Sequence, residues 1–305
     1  VILRDRLRRF HPHGVFWRHF LAWAVNNVPA SLEVATMWLW SFFFFALWGP
    51  GRRGVMHNLG LILPGSSPVA NFFRAYRVFL NFAWTLADSA KFHDQGIGFD
   101  WEIIGGENLD ILSDPARQAI VLTAHMGNYD IGSLIFTNRV ARTMSTVRAP
   151  EHDPETHAFA LEQQKKFGDR LKVHYNLSPE TLAFDLVEAI GRGEIVAIQG
   201  DRALPGVTAR PAPLFGGTVD LPAGPFALAM ATRAEIFPLF IMRAGRRRYR
   251  VLATPPISCK RTQGSKEIAI SAAMASWARV LESTIRENWD QWFTFEAMNV
   301  HADKA

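Results

Sequence analysis

Apolar positions recur at helical spacing across residues 68–92, at Phe72, Phe73, Tyr76, Phe79, Leu80, Ala83, Trp84 and Ala87, which predicts a long amphipathic helix. Beyond it the pattern changes to short apolar runs cut by glycine and proline. Residues 100–104 read as a strand ended by Gly105-Gly106, 107–112 as a short helix and 118–123 as a buried strand. A helix over 128–137, a strand over 142–147, a helix over 154–167 and a strand over 171–175 follow. Ser178-Pro179-Glu180 starts a helix that runs to Ile190 and stops at Gly191-Arg192-Gly193. Residues 194–199 read as a strand, and the Gly/Pro-rich stretch 200–224 reads largely as loop. A helix over 225–231 and a hairpin of strands 235–242 and 249–254 come next. A last helix over 265–289 carries a stripe of Ile270, Met274, Trp277, Leu281 and Ile285. Strands alternating with helices imply an α/β domain on a mixed, largely buried sheet flanked by helices.

The N-terminal part has another character. Residues 34–51 carry no charge and include Trp38-Leu39-Trp40 and four consecutive phenylalanines, Phe42 to Phe45. A membrane span needs about 20 apolar residues, and this run ends early in Gly49-Pro50-Gly51. Arginines crowd its flanks: Arg4, Arg6, Arg8, Arg9 and Arg18 before it, Arg52 and Arg53 after it. The pattern predicts a helix lying in or dipping into a membrane, with Trp and Phe at the interface and Arg meeting anionic lipid. An ordinary aromatic core is the plainer alternative. The division expected is a membrane-associated helical segment over 1–52 and a catalytic domain over 53–305, without internal repeats. The apolar run lacks a small-residue cleavage site, so it does not read as a secretory signal, and a chain that begins at Val1 is expected to have its natural start upstream.

Composition removes other classes. With 305 residues, 49% hydrophobic and 20% charged, the chain is too apolar for intrinsic disorder. Cys259 is the single cysteine, so no intrachain disulfide forms. A mean hydropathy of +0.02 argues against a polytopic membrane protein. A net charge of +5 does not choose among nucleic acid, anionic membrane and an acidic protein. No nucleic-acid-reading motif accompanies the Arg runs, which flank apolar segments or, at Arg246-Arg247-Arg248, link two strands.

The chemistry concentrates at Thr123-Ala124-His125-Met126-Gly127-Asn128-Tyr129-Asp130, where a strand gives way to a helix. Ligands of α/β sheets bind beyond the carboxyl ends of strands. His125 and Asp130 form a His-x4-Asp pair. The spacing carries little by itself, since the chain has 10 histidines and a second match at His157 and Glu162. That second pair sits in a predicted continuous helix, which turns the two side chains about 140° apart. At His125, Gly127 and Asn128 can fold the chain back, so that Asp130 accepts from one imidazole nitrogen and the other serves as base. No G-x-S-x-G nucleophile is present, so the nucleophile is expected from the substrate: a hydroxyl, acylated from a thioester. The alternative is a structural His–Asp pair.

The segment His125-Met126-Gly127-Asn128-Tyr129-Asp130 resembles the His-x4-Asp/Glu signature of glycerolipid-type acyltransferases. It more closely resembles the bacterial branch containing the lipid A late acyltransferases and the phosphatidylinositol mannoside acyltransferases. Other blocks agree in order: Asn58 to Pro64, Val147-Arg148-Ala149-Pro150, Gly200-Asp201-Arg202, Leu214-Phe215-Gly216-Gly217-Thr218, Leu221 to Pro225, and the Trp-rich tail from Trp289 to Phe295. Asp130 matches the mannoside branch better than the Glu of the lipid A enzymes, and Arg202 stands where the family commonly has Gln.

The resemblance implies a membrane-associated acyltransferase at the cytoplasmic face of a bacterial inner membrane. It would move a fatty acyl group from acyl carrier protein or coenzyme A to a hydroxyl of a lipid or glycolipid, with no resident cofactor and no metal. His125 would be the base and Asp130 its orienter. Arg148 would stabilise the oxyanion, helped by backbone N–H groups near Gly127, unless it forms only a surface salt bridge. Gly127, Asn128, Asp201 and Arg202 are expected to meet substrate, although the last two can also pair with each other. Gly216 and Gly217 would let backbone approach a donor phosphate, or simply make a turn. Two rivals remain at this level. One is a membrane-surface binding protein of the same fold without activity. The other is a metal-dependent hydrolase using His11, His13, His152, Asp153 and His157, whose spacing matches no strong zinc pattern.

Overall fold

The computed structural model describes residues 15–96, 98–129, 131–132, 139–149, 157–158, 161–162, 170–203, 206–260 and 265–301. Four helices precede the sheet: α1 (Val15–Asn27), α2 (Glu33–Leu47), α3 (Gly49–Ile62) and α4 (Pro68–Gln95). The Ser67 hydroxyl caps α4 by accepting from the Ala70 amide at 3.2 Å, Pro68 occupies its first turn, and Gly96 ends it in a left-handed conformation. Helices α1, α2 and α3 all pack on this long helix.

The apolar run 34–51 is not one helix. It leaves helical geometry at Trp48 and restarts at Gly49, and the two axes meet at 95°. Pro50 is the physical reason: its ring and missing N–H cannot continue a helix from the preceding turn but fit the first turn of a new one. The Trp48 indole folds over Gly51, where a Cβ would come within 2.6 Å of the ring. Arg52, expected to face lipid, donates to the Phe45 and Ala46 carbonyls at 2.6 and 3.1 Å and so caps the C-terminus of α2. Among the described residues no single helix is long and apolar enough to cross a membrane; α2 and α3 together have the length and composition only as a bent pair. The boundary expected at 52/53 falls inside α3.

The sheet has seven strands in the order β1-β9-β8-β2-β5-β3-β4. They are β1 (Asp100–Ile104), β2 (Ala119–Thr123), β3 (Met144–Arg148), β4 (Leu171–Tyr175), β5 (Ile195–Gln199), β8 (Glu235–Gly245) and β9 (Arg248–Ala253). Neighbours are parallel except the β8–β9 hairpin. Helix α5 (Gly106–Ser113) follows β1, α6 (Pro179–Gly191) precedes β5, α7 (Gly224–Thr232) precedes β8 and α8 (Lys266–Glu287) follows β9. Alternation along β2 splits the core: Ile120 and Leu122 join Phe226, Trp277 and Leu281 on one face, while Ala119 and Val121 join Leu109, Phe237 and Val251 on the other. A strand buried on both faces reads as the continuous apolar run seen in the sequence.

The stretch 200–224 contains more than loop. Ala209–Leu214 and Gly217–Pro222 form an antiparallel pair, β6 and β7. Pro211 and Pro213 lie on alternate positions of β6, which is tolerated because a two-stranded sheet has only edge strands. Of the helix expected over 128–137, Tyr129, Ile131 and Gly132 are described and are helical; of that over 154–167, His157, Ala158, Leu161 and Glu162 are. Asn128 is described and precedes the helical residues; the rest of both ranges lies outside the described residues, as do His11, His13, His152 and Asp153.

After α8 the chain makes a 3-10 turn at Trp289–Gln291 and returns to the N-terminal helices. Asn58 of α3 holds this tail: its Nδ2 donates to the carbonyls of Thr294 and Glu296 at 3.0 and 2.8 Å, and its Oδ1 accepts from the Met298 amide at 2.8 Å. Phe295 packs against Trp48, Phe79 and Phe82. The tail therefore joins the aromatic helical layer to the end of the sheet where the histidine lies.

Candidate active site

β2 and β5 are parallel neighbours paired Thr123↔Gln199 at their C-terminal ends, and the Gly200 amide donates to the Thr123 carbonyl at 2.8 Å. His125 and Asp201 each come two residues after those ends. Equal overhangs on registered strands place the two side chains side by side, and the imidazole Nδ1 lies 2.8 Å from Asp201 Oδ1. The turn at Gly200 is fixed from below, since Trp277 Nε1 on α8 donates to its carbonyl at 2.9 Å.

Asp201 is fully buried. Its second oxygen, Oδ2, accepts from the indole Nε1 of Trp292 at 3.0 Å. Burial pushes the carboxyl up, but the charge and hydrogen bond of His125, the Trp292 N–H and the Arg202 charge together hold it well below the usual carboxylate range, at about 2. Asp201 is thus an anion near neutral pH and acts only as acceptor. Nδ1 therefore carries the proton it donates, which in the neutral imidazole leaves the lone pair on Nε2. No described residue bonds Nε2, and the side chain retains 19% exposure, so the basic nitrogen is within reach of substrate.

The loop that carries His125 is pinned on three sides. The Phe293 amide donates to the His125 carbonyl at 2.8 Å, the Gly127 amide to the Gln291 carbonyl at 2.9 Å, and the Asn128 amide to the Ile241 carbonyl of β8 at 2.8 Å. Gly127 has φ +57 and its Cα faces the Ile241 carbonyl, so a Cβ would overlap that oxygen. These contacts use the N–H groups of Gly127 and Asn128, which removes them as the oxyanion helpers expected from sequence.

Asn128, expected to meet substrate, commits its whole amide to structure. Oδ1 accepts from Ser89 Oγ at 3.0 Å and the Ile131 amide at 3.2 Å; Nδ2 donates to the Thr85 carbonyl at 3.2 Å and the Tyr249 hydroxyl at 3.3 Å. Tyr249 in turn donates to Asp88 Oδ2 at 2.7 Å, which also accepts from Arg243 Nε at 3.2 Å. The site loop is tied through this network to helix α4.

The other expected residues fall as follows. Asp130 lies outside the described residues; the imidazole nitrogen that the His-x4-Asp spacing gave it is held by Asp201. Arg148 ends β3 at the same edge of the sheet, two residues past the Thr146↔Ala197 pair with β5, and is exposed. Arg202 is half-buried beside Asp201, and among the described residues its buried Nε has no hydrogen-bond partner. Gly216 and Gly217 sit in the β6–β7 turn, where Phe215 and Gly216 have φ 54 and 79, and a Cβ on Gly217 would press within 2.5 Å of Val300. The turn accounts for Gly216, and the close approach of Val300 and the His301 carbonyl accounts for Gly217. Cys259 is buried and its thiol is pushed up by burial. Among the described residues no group of three His, Cys, Asp or Glu side chains converges as a metal site.

Sequence reasoning did not give Trp292 a role. The available signal was chemical: a tryptophan in an apolar tail needs a partner for its indole N–H when buried, and a buried carboxylate is such a partner.

With fold and site in view, comparison with known proteins adds one finding. A family model described as bacterial lipid A biosynthesis acyltransferase matches residues 8–297. No curated protein matches the chain significantly.

Proposed function

Because the chain belongs to the bacterial lipid A biosynthesis acyltransferase family, and so is an acyltransferase acting on lipid, we propose that His125 is the general base of an acyl transfer from a thioester to a lipid-borne hydroxyl. The observation that carries this reading is the buried, ionised Asp201 bonded to Nδ1, which leaves Nε2 basic at the open end of the sheet.

In this mechanism Nε2 takes the proton from the acceptor hydroxyl as its oxygen attacks the thioester carbonyl. The imidazolium formed is stabilised by the Asp201 carboxylate, which stays ionised. Collapse of the tetrahedral intermediate breaks the C–S bond, and the departing sulfur receives the proton from Nε2. The oxyanion needs a positive group. Arg148, at the C-terminal end of β3, is our candidate, with Arg202, whose Nε has no partner among the described residues, available to an anionic or carbonyl group of either substrate. Asp130, five residues after His125 in the sequence, is kept as a second acidic partner for the imidazolium. The donor is acyl carrier protein or coenzyme A, and the acceptor a lipid or glycolipid.

The protein would work at the cytoplasmic face of a bacterial inner membrane, lying on it rather than spanning it. Helix α2 buries Met37, Ser41 and Phe45 and presents Trp38, Leu39, Phe42 and Leu47 to the outside; Val69 and Phe73 at the start of α4 are also exposed. Glu33 at the N-terminus of α2 binds Lys91 and Arg246, which sets the exposed Arg246-Arg247-Arg248 turn beside that end of the apolar helix. An apolar face with a basic border suits an anionic bilayer surface.

The test is thiol release from acyl carrier protein and coenzyme A thioesters by purified protein in detergent, with and without bacterial lipid extract. Release that requires the lipid, and a lipid product heavier by one acyl group, are the expected results. A folded protein that releases no thiol from either donor over a range of acceptor extracts would overturn the reading.

A further inference from the structure

We infer that Trp292 is a positioning residue for the acyl transfer, the third member of a His125–Asp201–Trp292 relay in which its indole N–H fixes the orientation of the carboxylate and shares its charge. The inference rests on His125 being the base and goes beyond it, to how the buried anion is held.

Three observations carry it. The first is that Asp201 has no exposed surface and its two oxygens are divided, Oδ1 to His125 at 2.8 Å and Oδ2 to Trp292 at 3.0 Å. A carboxylate buried without a second donor would rotate or take up a proton. The second is that the indole cannot drift. Trp292 is buried, its ring meets Phe215 at 5.8 Å, and its backbone pairs with Met126 beside the histidine. Phe215 is itself fixed, because its amide donates to Glu282 Oε2 at 3.0 Å. The third is that Trp292 and Phe293 are consecutive: one donates to Asp201 and the other holds the His125 carbonyl at 2.8 Å, so one short segment sets both partners.

The charged groups around the relay are few. Arg202, on the loop after β5, is the other charge acting on Asp201. Arg148 ends β3 at the same edge, and on the tail Asp290 is bound by Arg77 at 2.7 Å. On the α8 side Glu282 is bound by Arg286 at 2.7 Å, and on the β8 side Arg243 is bound by Asp88 at 3.2 Å. Asp130 lies outside the described residues.

Trp292→Phe keeps an aromatic ring against Phe215 and removes only the donor. The expected kcat falls about ten- to a hundredfold, the value of one hydrogen bond to a buried charge, while KM for the thioester stays unchanged. The acidic limb of kcat/KM moves to higher pH, because the undivided carboxylate charge favours the imidazolium. In the Asp201→Asn background the same substitution has no further effect on kcat. Equal losses in both backgrounds with an unmoved pH limb would reduce Trp292 to packing and overturn the inference. An inactive His125→Ala beside an unaltered Trp292→Phe would end this inference alone, whereas a fully active His125→Ala would end the base assignment on which it rests. If Trp292→Phe does not fold, the wild-type protein with 15N-labelled tryptophan decides. One indole N–H resonance that follows the histidine titration, and stops doing so in Asp201→Asn, supports the relay. Indole resonances that all ignore that titration overturn it.

Discussion

His125 and Asp201 are 76 positions apart in the chain and 2.8 Å apart in space, each standing two residues beyond the end of a strand. The strands, β2 and β5, are parallel neighbours in register, so the pair is set by backbone geometry before any side-chain packing is considered. Burial of the carboxylate and exposure of the opposite imidazole edge then give the pair a direction, from buried anion to accessible base.

Asp201→Asn removes the charge while keeping the shape. Turnover is expected to fall by about 10²–10⁴-fold with Asp130 intact, because an amide neither fixes the required tautomer nor stabilises the imidazolium. Thiol release, with circular dichroism to show the fold, measures this.

Gly127→Ala places a methyl group against the Ile241 carbonyl at a residue with φ +57. The loop must then move, and a loss of stability of more than about 2 kcal/mol is expected together with loss of activity. Urea unfolding gives the first number and the thiol assay the second.

Acid should unfold the protein through two carboxylates. Asp201 is held at about 2 against an ordinary value of 3.8. Glu194 is also held at about 2, against 4.5: burial raises it, and Arg192, Lys172 and Ser145 lower it by more. Both folded values lie below the unfolded ones, so the stabilisation is present above the unfolded values and is lost as pH falls toward 2. The urea midpoint should decline across that range, and Glu194→Gln should flatten the decline. A midpoint independent of pH there would contradict the assignment.

The exposed apolar face of α2 predicts membrane binding separable from folding. Leu39 and Phe42 are 70% and 59% exposed. Leu39→Glu with Phe42→Glu should weaken binding to anionic vesicles by at least about tenfold and leave the thermal midpoint unchanged. Sedimentation with vesicles separates the two effects.

Much of the sheet is legible in the chain because buried strands such as 118–123 are short apolar runs between turn residues. The β6–β7 hairpin is not, because Pro211, Pro213 and the Gly216-Gly217 pair carry the same signals as a loop. The break at Trp48 is legible in Gly49-Pro50-Gly51, where the apolar run ends; that a second helix restarts there at 95° is not. At the site, His125 was visible from its place after a strand. Its partner was not, since β3 and β4 intervene in sequence between β2 and β5, and only the sheet order makes β5 a neighbour. Spacing points to Asp130, five residues away, while the resemblance and its place after a strand make Asp201 a substrate contact or a partner of Arg202. Trp292 is more distant still, 91 residues from the carboxylate it holds.

The most direct test is His125→Ala, assayed beside wild type for lipid-dependent thiol release under single-turnover conditions with both proteins shown to be folded. A fall of about 10²–10⁴-fold is predicted for the loss of a general base. A folded His125→Ala protein with wild-type turnover would contradict the account at its centre.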